Sequence, residues 1–359
     1  MTDDPGSNAM AARHGDVRRF FAGKRVLVTG AAGSVGAALC AELARLGCAH
    51  LAMLDQFDHG LLEICERVRR IAPDLSTSEA LCDIRDRGRL DVWMARARPD
   101  VVLHAAALKH VHLGERHPVE CVLTNLIGTR NALAAAAAVG AREFVLVSSD
   151  KAAAPVCVMG ATKRLAELFL LGFHRERGEA IRLRSVRFGN VLGSQGSVTP
   201  RFAAQIAGGG PLEVTHPDMQ RFFMSSEEAV GLVLGVAALD DPGAGKAGAY
   251  FMEMGEPVSI LQMGRDMIAR SGRDLEIVFT GLRAGEKLKE QLFDEYESVT
   301  SAGLPHVFRV TPLSPEAYVS SADVAQLENI ARTLDDARVR QRVFAFLDAR
   351  LGRAEPAVG

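Results

Sequence analysis

The chain's 359 residues allow one large domain or two closely joined ones. A content of 48% hydrophobic and 24% charged residues fits an ordinary globular protein, and a formal net charge of −2 leaves no electrostatic footprint for nucleic acid as a main partner. The six cysteines form no CxxC pair and the histidines lack ligand spacing, which excludes a disulfide frame and a metal centre and points to reduced core thiols of a cytoplasmic protein.

Residues 1–22 read as a tail. Within it, Gly6-Ser7-Asn8-Ala9-Met10 has the look of a tag-cleavage remnant followed by a new start, which implies a longer natural N-terminus. RVLVT (25–29) is the first expected strand, with a helix from about Ser34. HLAML (50–54) is the second, followed by a helix over Leu61–Ile71. EALC (79–82) and DVVLHAA (100–106) continue the series, and Pro118, a favoured first-turn residue, opens a long helix to about Val139. FVLVSS (144–149), a helix over Val158–Phe173 and IRLRSVRF (181–188) complete the alternation. Such apolar strands between amphipathic helices predict an α/β fold: a Rossmann-type, doubly wound parallel sheet covered on both faces. Beyond Asn190 the alternation becomes irregular, with loop signals at GGGP (208–211), HPD (216–218) and DPGAGKAG (241–248), then an amphipathic helical stretch over 321–352 that packs at an edge. No run reaches the roughly 18–20 apolar residues of a membrane span. The longest, Ala132–Ala141 and Ala229–Leu239, read as buried helices.

VLVTGAAGSVG (26–36) sets Gly30, Gly33 and Gly36 between a strand and a helix. The first permits a tight turn, the second lets backbone approach a pyrophosphate, and the third lets helix and strand pack closely. The anion then meets free N–H groups at the helix N-terminus, around Ser34 and Val35. Asp55, after the second strand, is spaced to accept from both hydroxyls of a nucleotide ribose and to repel a 2′-phosphate, which favours NAD over NADP. Asp83, with Ile84 behind it, is placed either to meet the adenine or to cap a helix.

The glycine spacing, HAAALKHV (104–111), the SDK…K segment (149–163) and RFGNVLGS (187–194) together resemble the extended short-chain dehydrogenase/reductases. Within them the chain is similar to the nucleotide-sugar 4,6-dehydratases of bacterial polysaccharide and glycan synthesis, and most of all to the branch acting on UDP-N-acetylglucosamine. The resemblance runs from about Gly23 to Pro312 and includes TNLIGTRN (124–131), MGATKRLAE (159–167), THPDMQRFFM (215–224) and GLRAGEKLKE (281–290). It implies an NAD-binding Rossmann domain over 23–190, a mainly UDP-sugar-binding lobe over 191–320 and a C-terminal helical segment over 321–359. Many family members carry this domain behind transmembrane helices, so a membrane anchor on a longer chain is consistent with it. The family usually forms homodimers or larger homo-oligomers through a four-helix bundle, to which helices 118–139 and the MGATK helix would contribute.

By the same resemblance, the reaction oxidises C4 of the sugar, removes the C5 proton, expels the C6 hydroxyl as water and returns hydride to C6. Asp150 is the implied acid at the C6 oxygen and Lys151 the base at C5. The first then needs a raised pKa and the second a lowered one, with Lys163 a candidate for the lowering cation. Ser149 bonds the C4 oxygen, while Ser148 is structural. Lys163 holds the nicotinamide ribose. The family's tyrosine, one helical turn before that lysine, is here Met159, whose thioether carries no proton. The C4 hydroxyl proton is thus left to Lys163 through a water, to Lys151 or to Asp150. Asn125 holds a water or backbone near the lysine, or bonds a neighbouring loop. Ala105 and Ala106 line the cofactor, and His104 supports their loop. Lys109 reaches the sugar or phosphates, or lies at the surface. Asn190 and Arg201 contact the substrate, Arg221 and Arg283 offer charge for the diphosphate, Glu286 accepts from the uridine ribose, and Val198 and Pro200 flank the uracil. His216 is a phosphate contact or a structural loop residue. A 4-epimerase or ketoreductase on this scaffold, or a non-catalytic UDP-sugar-binding protein, are the competing readings. Neither needs the Asp150–Lys151 pair.

Overall fold

The computed structural model describes residues 14–240 and 247–353. The Gly6–Met10 stretch and most of the 241–248 loop lie outside them. A nine-stranded sheet runs in the order β14-β15-β11-β6-β5-β4-β1-β2-β3. Its strands are β1 (Arg25–Thr29), β2 (His50–Asp55), β3 (Ser76–Leu81), β4 (Val101–His104), β5 (Glu143–Val147), β6 (Arg182–Arg187), β11 (Ala247–Met252), β14 (Glu297–Ser301) and β15 (Val307–Pro312). From β11 to β3 all neighbours are parallel, while β15 and β14 close the other edge antiparallel. The expected doubly wound α/β fold is therefore present, and β1 next to β4 sets the crevice at the carboxyl ends of the strands where the order reverses.

Central strands are buried along their whole length and were readable as apolar runs. The third strand begins earlier than EALC suggests. It is an edge strand of sequence STSEAL, mostly exposed or half-buried, so it lacks the apolar signature. The long helix from Pro118 is continuous to Ala138 but contains a π-helical segment, Val122–Ile127, between Pro118–Cys121 and Gly128–Ala138. Such segments arise where a helix widens to aim a side chain, frequently at functional sites. After Asn190, the short strands β8 (Leu212–Val214) and β13 (Ile277–Phe279) pair beside helices Val198–Gly208 and Ile260–Ser271, around a small core of Phe202, Ile206, Leu212, Val214, Met219 and Ile260.

Helix Val158–Arg177 is buried on every side from Val158 to Leu170. Two C-terminal helices, Ser321–Thr333 and Asp336–Leu351, cover it and the π-helical segment through Val324, Leu327, Val339, Val343 and Leu347. Polar ties reinforce this: Asp336 Oδ1 accepts from Val119 N (3.1 Å), Arg340 donates to Glu115 (2.9 Å), and Arg130 pairs with Glu328 (2.5 Å). Helices 118–138, 158–177, 321–333 and 336–351 thus pack together within one chain. Among the described residues, no helix is long and apolar enough to cross a membrane.

Candidate active site

The glycine loop is shaped by contacts that admit no side chain. Gly30 has φ +68°, and a Cβ there would lie 2.5 Å from the Ala106 nitrogen; one on Gly36 would run into the Gly30 carbonyl oxygen. Gly33 caps helix Ser34–Leu46 in extended backbone with no side-chain cap, so the helix keeps its first N–H groups for an anion. Val35 packs half-buried on the core beneath, while the Ser34 hydroxyl accepts from Gln195 N at 3.1 Å. Asp55 ends β2 beside this loop, accepting from Ala32 N (2.9 Å) and Phe57 N (3.0 Å). Each carboxylate oxygen keeps lone-pair capacity for a ribose hydroxyl. These residues fit a dinucleotide. Asp83 instead is held by Arg85, through the backbone nitrogen (2.9 Å) and the guanidinium (2.6 Å). Burial pushes its pKa up, but the Arg85 bonds and charge outweigh this and hold it below the ordinary carboxylate value. It does not cap the next helix: Asp86 does, accepting from Arg89 N. Ile84 is buried against Gly128.

A polar chain runs behind the cofactor side of the crevice. Thr29 Oγ1 meets His104 Nδ1 (2.7 Å), His104 Nε2 meets Thr129 Oγ1 (3.1 Å), and Thr129 donates to Asn125 O (2.6 Å). Because Thr129 spends its proton on Asn125, His104 donates through Nε2 and accepts at Nδ1. Burial, with the nearby Lys163 charge, pushes the His104 pKa down to about 3, so the ring is neutral. His104 is a support of the loop, as expected. Ala105 N donates to Thr29 O and Ala106 N to Thr29 Oγ1, which fixes the two alanines against β1. Asn125 lies in the π-helical segment, grips both backbone groups of Leu108 (2.8 and 3.1 Å) and donates to Thr162 (3.1 Å). It therefore ties the 105–110 loop to the helix that carries Met159 and Lys163.

After β5 the chain enters a 3-10 turn, Asp150–Ala152, capped by the Ser149 hydroxyl, which accepts from Lys151 N (3.3 Å) and donates to Asp150 Oδ1 (2.9 Å). This turn swings both Asp150 and Lys151 into the interior. Lys151 Nζ donates to Asp150 Oδ1 at 3.0 Å and stands 3.4 Å from Glu290 Oε1. Asp150 Oδ2 and Glu290 Oε2 are buried without a partner. Burial alone would lower the Lys151 pKa, but the Asp150 and Glu290 charges outweigh it and raise it. The lowering expected for a resting base is thus reversed in this arrangement. Lys163 behaves oppositely: buried, donating to Val147 O at 2.9 Å, it has its pKa pushed down to about 8 by burial, against the raising charges of Glu167 and Cys121. Met159 sits with Cys121, Cys157 and Val158 in a small apolar cluster. Gly160 follows it because a Cβ there would meet the Lys151 carbonyl oxygen.

The 281–290 loop folds over this turn. Lys287 Nζ donates to Ala153 O (3.2 Å), and Gly285 (φ +79°) packs on Cys157 and Glu115. Arg221, buried on β9 (Gln220–Arg221), donates to Leu288 O (3.2 Å) and lies 4.0 Å from Glu290. Glu286 Oε2 accepts from Arg283 N (3.0 Å), so it shapes the loop. Asn190, on β7 (Asn190–Val191), is anchored by its backbone to Phe222. Lys109 Nζ donates to Gln195 O at 2.6 Å, so together with the Ser34 bond the 192–197 loop straps across the crevice. Val198 and Pro200 open helix Val198–Gly208 behind that loop, whereas Arg201 on the same helix is paired with Glu213. His216 Nδ1 accepts from Asp218 N, a loop bond. Glu290 closes the GLRAGEKLKE phrase, but nothing in that phrase marks its approach to Lys151, far back along the chain. Among the described residues no group of three acid, cysteine or histidine side chains could hold a metal.

This sheet, glycine loop and lysine-bearing helix are those of the extended short-chain dehydrogenase/reductases. More narrowly, the chain belongs to the polysaccharide biosynthesis protein family, whose model matches residues 26–312. It is 37% identical over 345 residues to a probable polysaccharide biosynthesis protein, EpsC of Bacillus subtilis, covering 93% of this chain and 55% of the other. The chain thus spans about half the length of that relative. Over 302 residues it is 31% identical to the inverting UDP-N-acetylglucosamine 4,6-dehydratase of Campylobacter jejuni, covering 82% of this chain and 84% of that one. Over 309 residues it is 32% identical to the UDP-glucose 4-epimerase of Rickettsia rickettsii, covering 81% and 84%. Among solved structures it is similar to Pen from Bacillus thuringiensis, with a TM-score of 0.74, 28% identity, and coverage of 88% of this chain and 99% of that one.

Proposed function

We propose that this chain is an NAD-dependent UDP-N-acetylglucosamine 4,6-dehydratase, yielding a UDP-4-keto-6-deoxy-N-acetylhexosamine for surface polysaccharide or glycan synthesis. The observation that carries it is the buried Asp150–Lys151 pair at the end of β5. An epimerization moves a hydride at C4 and needs no acid at C6 and no base at C5; an elimination needs both. Gly30, Gly33, Ser34, Gly36 and Asp55 would hold NAD, which supplies hydride acceptance at C4 and return at C6. Ser149 bonds the C4 oxygen by turning its hydroxyl proton from Asp150 to the substrate. Lys163, with its ammonium pKa lowered to about 8, is the group able to accept the C4 hydroxyl proton directly or through a water. This replaces the role that Met159 cannot fill. Lys151 takes the C5 proton and Asp150 protonates the leaving C6 oxygen. Arg221 and Arg283, with Lys109 and Asn190, face the UDP half.

The test is incubation of the protein with UDP-N-acetylglucosamine and NAD, with the product followed by NMR. A new C6 methyl signal and loss of one water by mass spectrometry are expected. A C4-inverted sugar that keeps its C6 hydroxyl would replace this reading with the epimerase one, which the Rickettsia relative favours.

A further inference from the structure

We infer that Glu290 is the positioning residue of the acid–base centre, a second carboxylate that clamps Lys151 against Asp150 and holds the amine in place while a proton passes between them. This rests on the proposed dehydration and adds a member to its site. Glu290 is buried, with Oε1 3.4 Å from Lys151 Nζ and 4.0 Å from Arg221 Nε. Its other oxygen has no partner, as is true of Asp150 Oδ2. A buried, unpaired carboxylate oxygen is costly, and a purely structural carboxylate is expected to have its oxygens satisfied. The two carboxylates that hold the Lys151 ammonium thus each keep an oxygen able to accept from a further group.

The groups facing Lys151 are Asp150 on its own turn, Glu290 and Lys287 on the 281–290 loop, Arg221 on β9 and the Cys157 thiol at the start of helix 158–177, with Glu115 beyond Cys157. In the observed ion pair, Lys151 is fully protonated and cannot accept the C5 proton. Shifting one proton along the 3.0 Å bond from Nζ to Asp150 Oδ1 gives a neutral amine beside a carboxylic acid, with no proton drawn from solvent. Glu290, whose Oε1 stands 3.4 Å from that nitrogen, steadies the amine and fixes its lone pair. The amine then takes the proton from C5, the C5–H electrons form the C5–C6 double bond, the C6–O bond breaks, and the Asp150 proton leaves with the oxygen as water. Lys151 and Asp150 end as the ion pair from which they began.

The experiment uses the full chain labelled with 15N-lysine, in which the Lys151 Nζ resonance is assigned by its loss in Lys151→Arg and titrated by NMR. Glu290→Gln keeps the shape and removes the charge. The Lys151 midpoint is expected to fall by about one pH unit or more in that variant. In turnover, Glu290→Ala should lose at least about tenfold in kcat with KM nearly unchanged, while Glu290→Gln moves the kcat–pH profile toward acid. A Lys151 midpoint that does not move, or variants with wild-type kcat and pH profile, would overturn the inference. The titration needs no turnover, so a wild-type protein that makes no product defeats the dehydratase reading separately from the clamp.

Discussion

Two clusters of buried charge lie within a few residues of each other, and they are built to opposite rules. Behind β5, Arg164 and Arg187 meet Glu167 and Glu297, and Ser148 donates to Glu167 at 2.6 Å. Every carboxylate oxygen there is paired: Arg187 alone bonds Glu167 at 2.9 and 2.6 Å and Glu297 at 2.8 and 2.8 Å. In front of β5, Asp150 and Glu290 share one lysine and each leaves an oxygen bare. The first cluster stitches helix 158–177, β6 and β14 together. The second is left unsatisfied where a ligand would complete it. Two buried nitrogens of Arg164 also lack partners, so the contrast lies in the carboxylates alone, saturated in the scaffold and not at the site.

Substitutions should split along the same line. The largest effect is on chemistry: Asp150→Asn and Lys151→Ala should each lower turnover by about 10²-fold or more while UDP affinity, measured by calorimetry, stays near wild type. Stability should respond the other way round. Glu297→Gln removes one partner from a buried network and should cost about 3–5 kcal/mol in denaturant unfolding, whereas Asp150→Asn should cost under about 1 kcal/mol or stabilise. Equal losses for the two would erase the distinction.

Acid should find the saturated cluster too. Burial works to raise the Glu297 pKa, but the Arg187 and Arg164 charges prevail and hold it at about 2. A carboxylate depressed in the folded state contributes stability that is complete above the unfolded value of about 4.3 and is lost as pH falls toward 2. Unfolding free energy should therefore drop steeply over that window in the wild type and less in Glu297→Gln. At the site the relevant group is Lys163. Its lowered pKa means the amine becomes neutral as pH rises through about 8, so kcat should increase through that pH, and Lys163→Arg should abolish the rise. The smallest effect is expected at Asn125. Asn125→Ala frees Leu108 and should raise the KM for NAD a few-fold, about 1 kcal/mol, with kcat little changed.

Legibility in the sequence followed locality. The glycine loop, Asp55 and the central strands were readable because their signals are contiguous. Asp83 was placed to cap a helix or meet the adenine; Asp86 takes the cap, and Arg85 bonds Asp83, a pairing that spacing alone does not reveal. The π-helical segment around Asn125 has no one-dimensional mark. Nor does the folding of 321–351 onto helix 158–177. Glu290 and Glu297 were missed for the same reason: each is defined by partners distant in sequence.

The most direct test of the account is the reaction run in deuterium oxide. Removal of the C5 proton by Lys151, followed by reprotonation from a solvent-equilibrated group, should place deuterium at C5 of a product bearing a C6 methyl, and Asp150→Asn should abolish both signals. A product with protium at C5 and an intact C6 hydroxyl would contradict it.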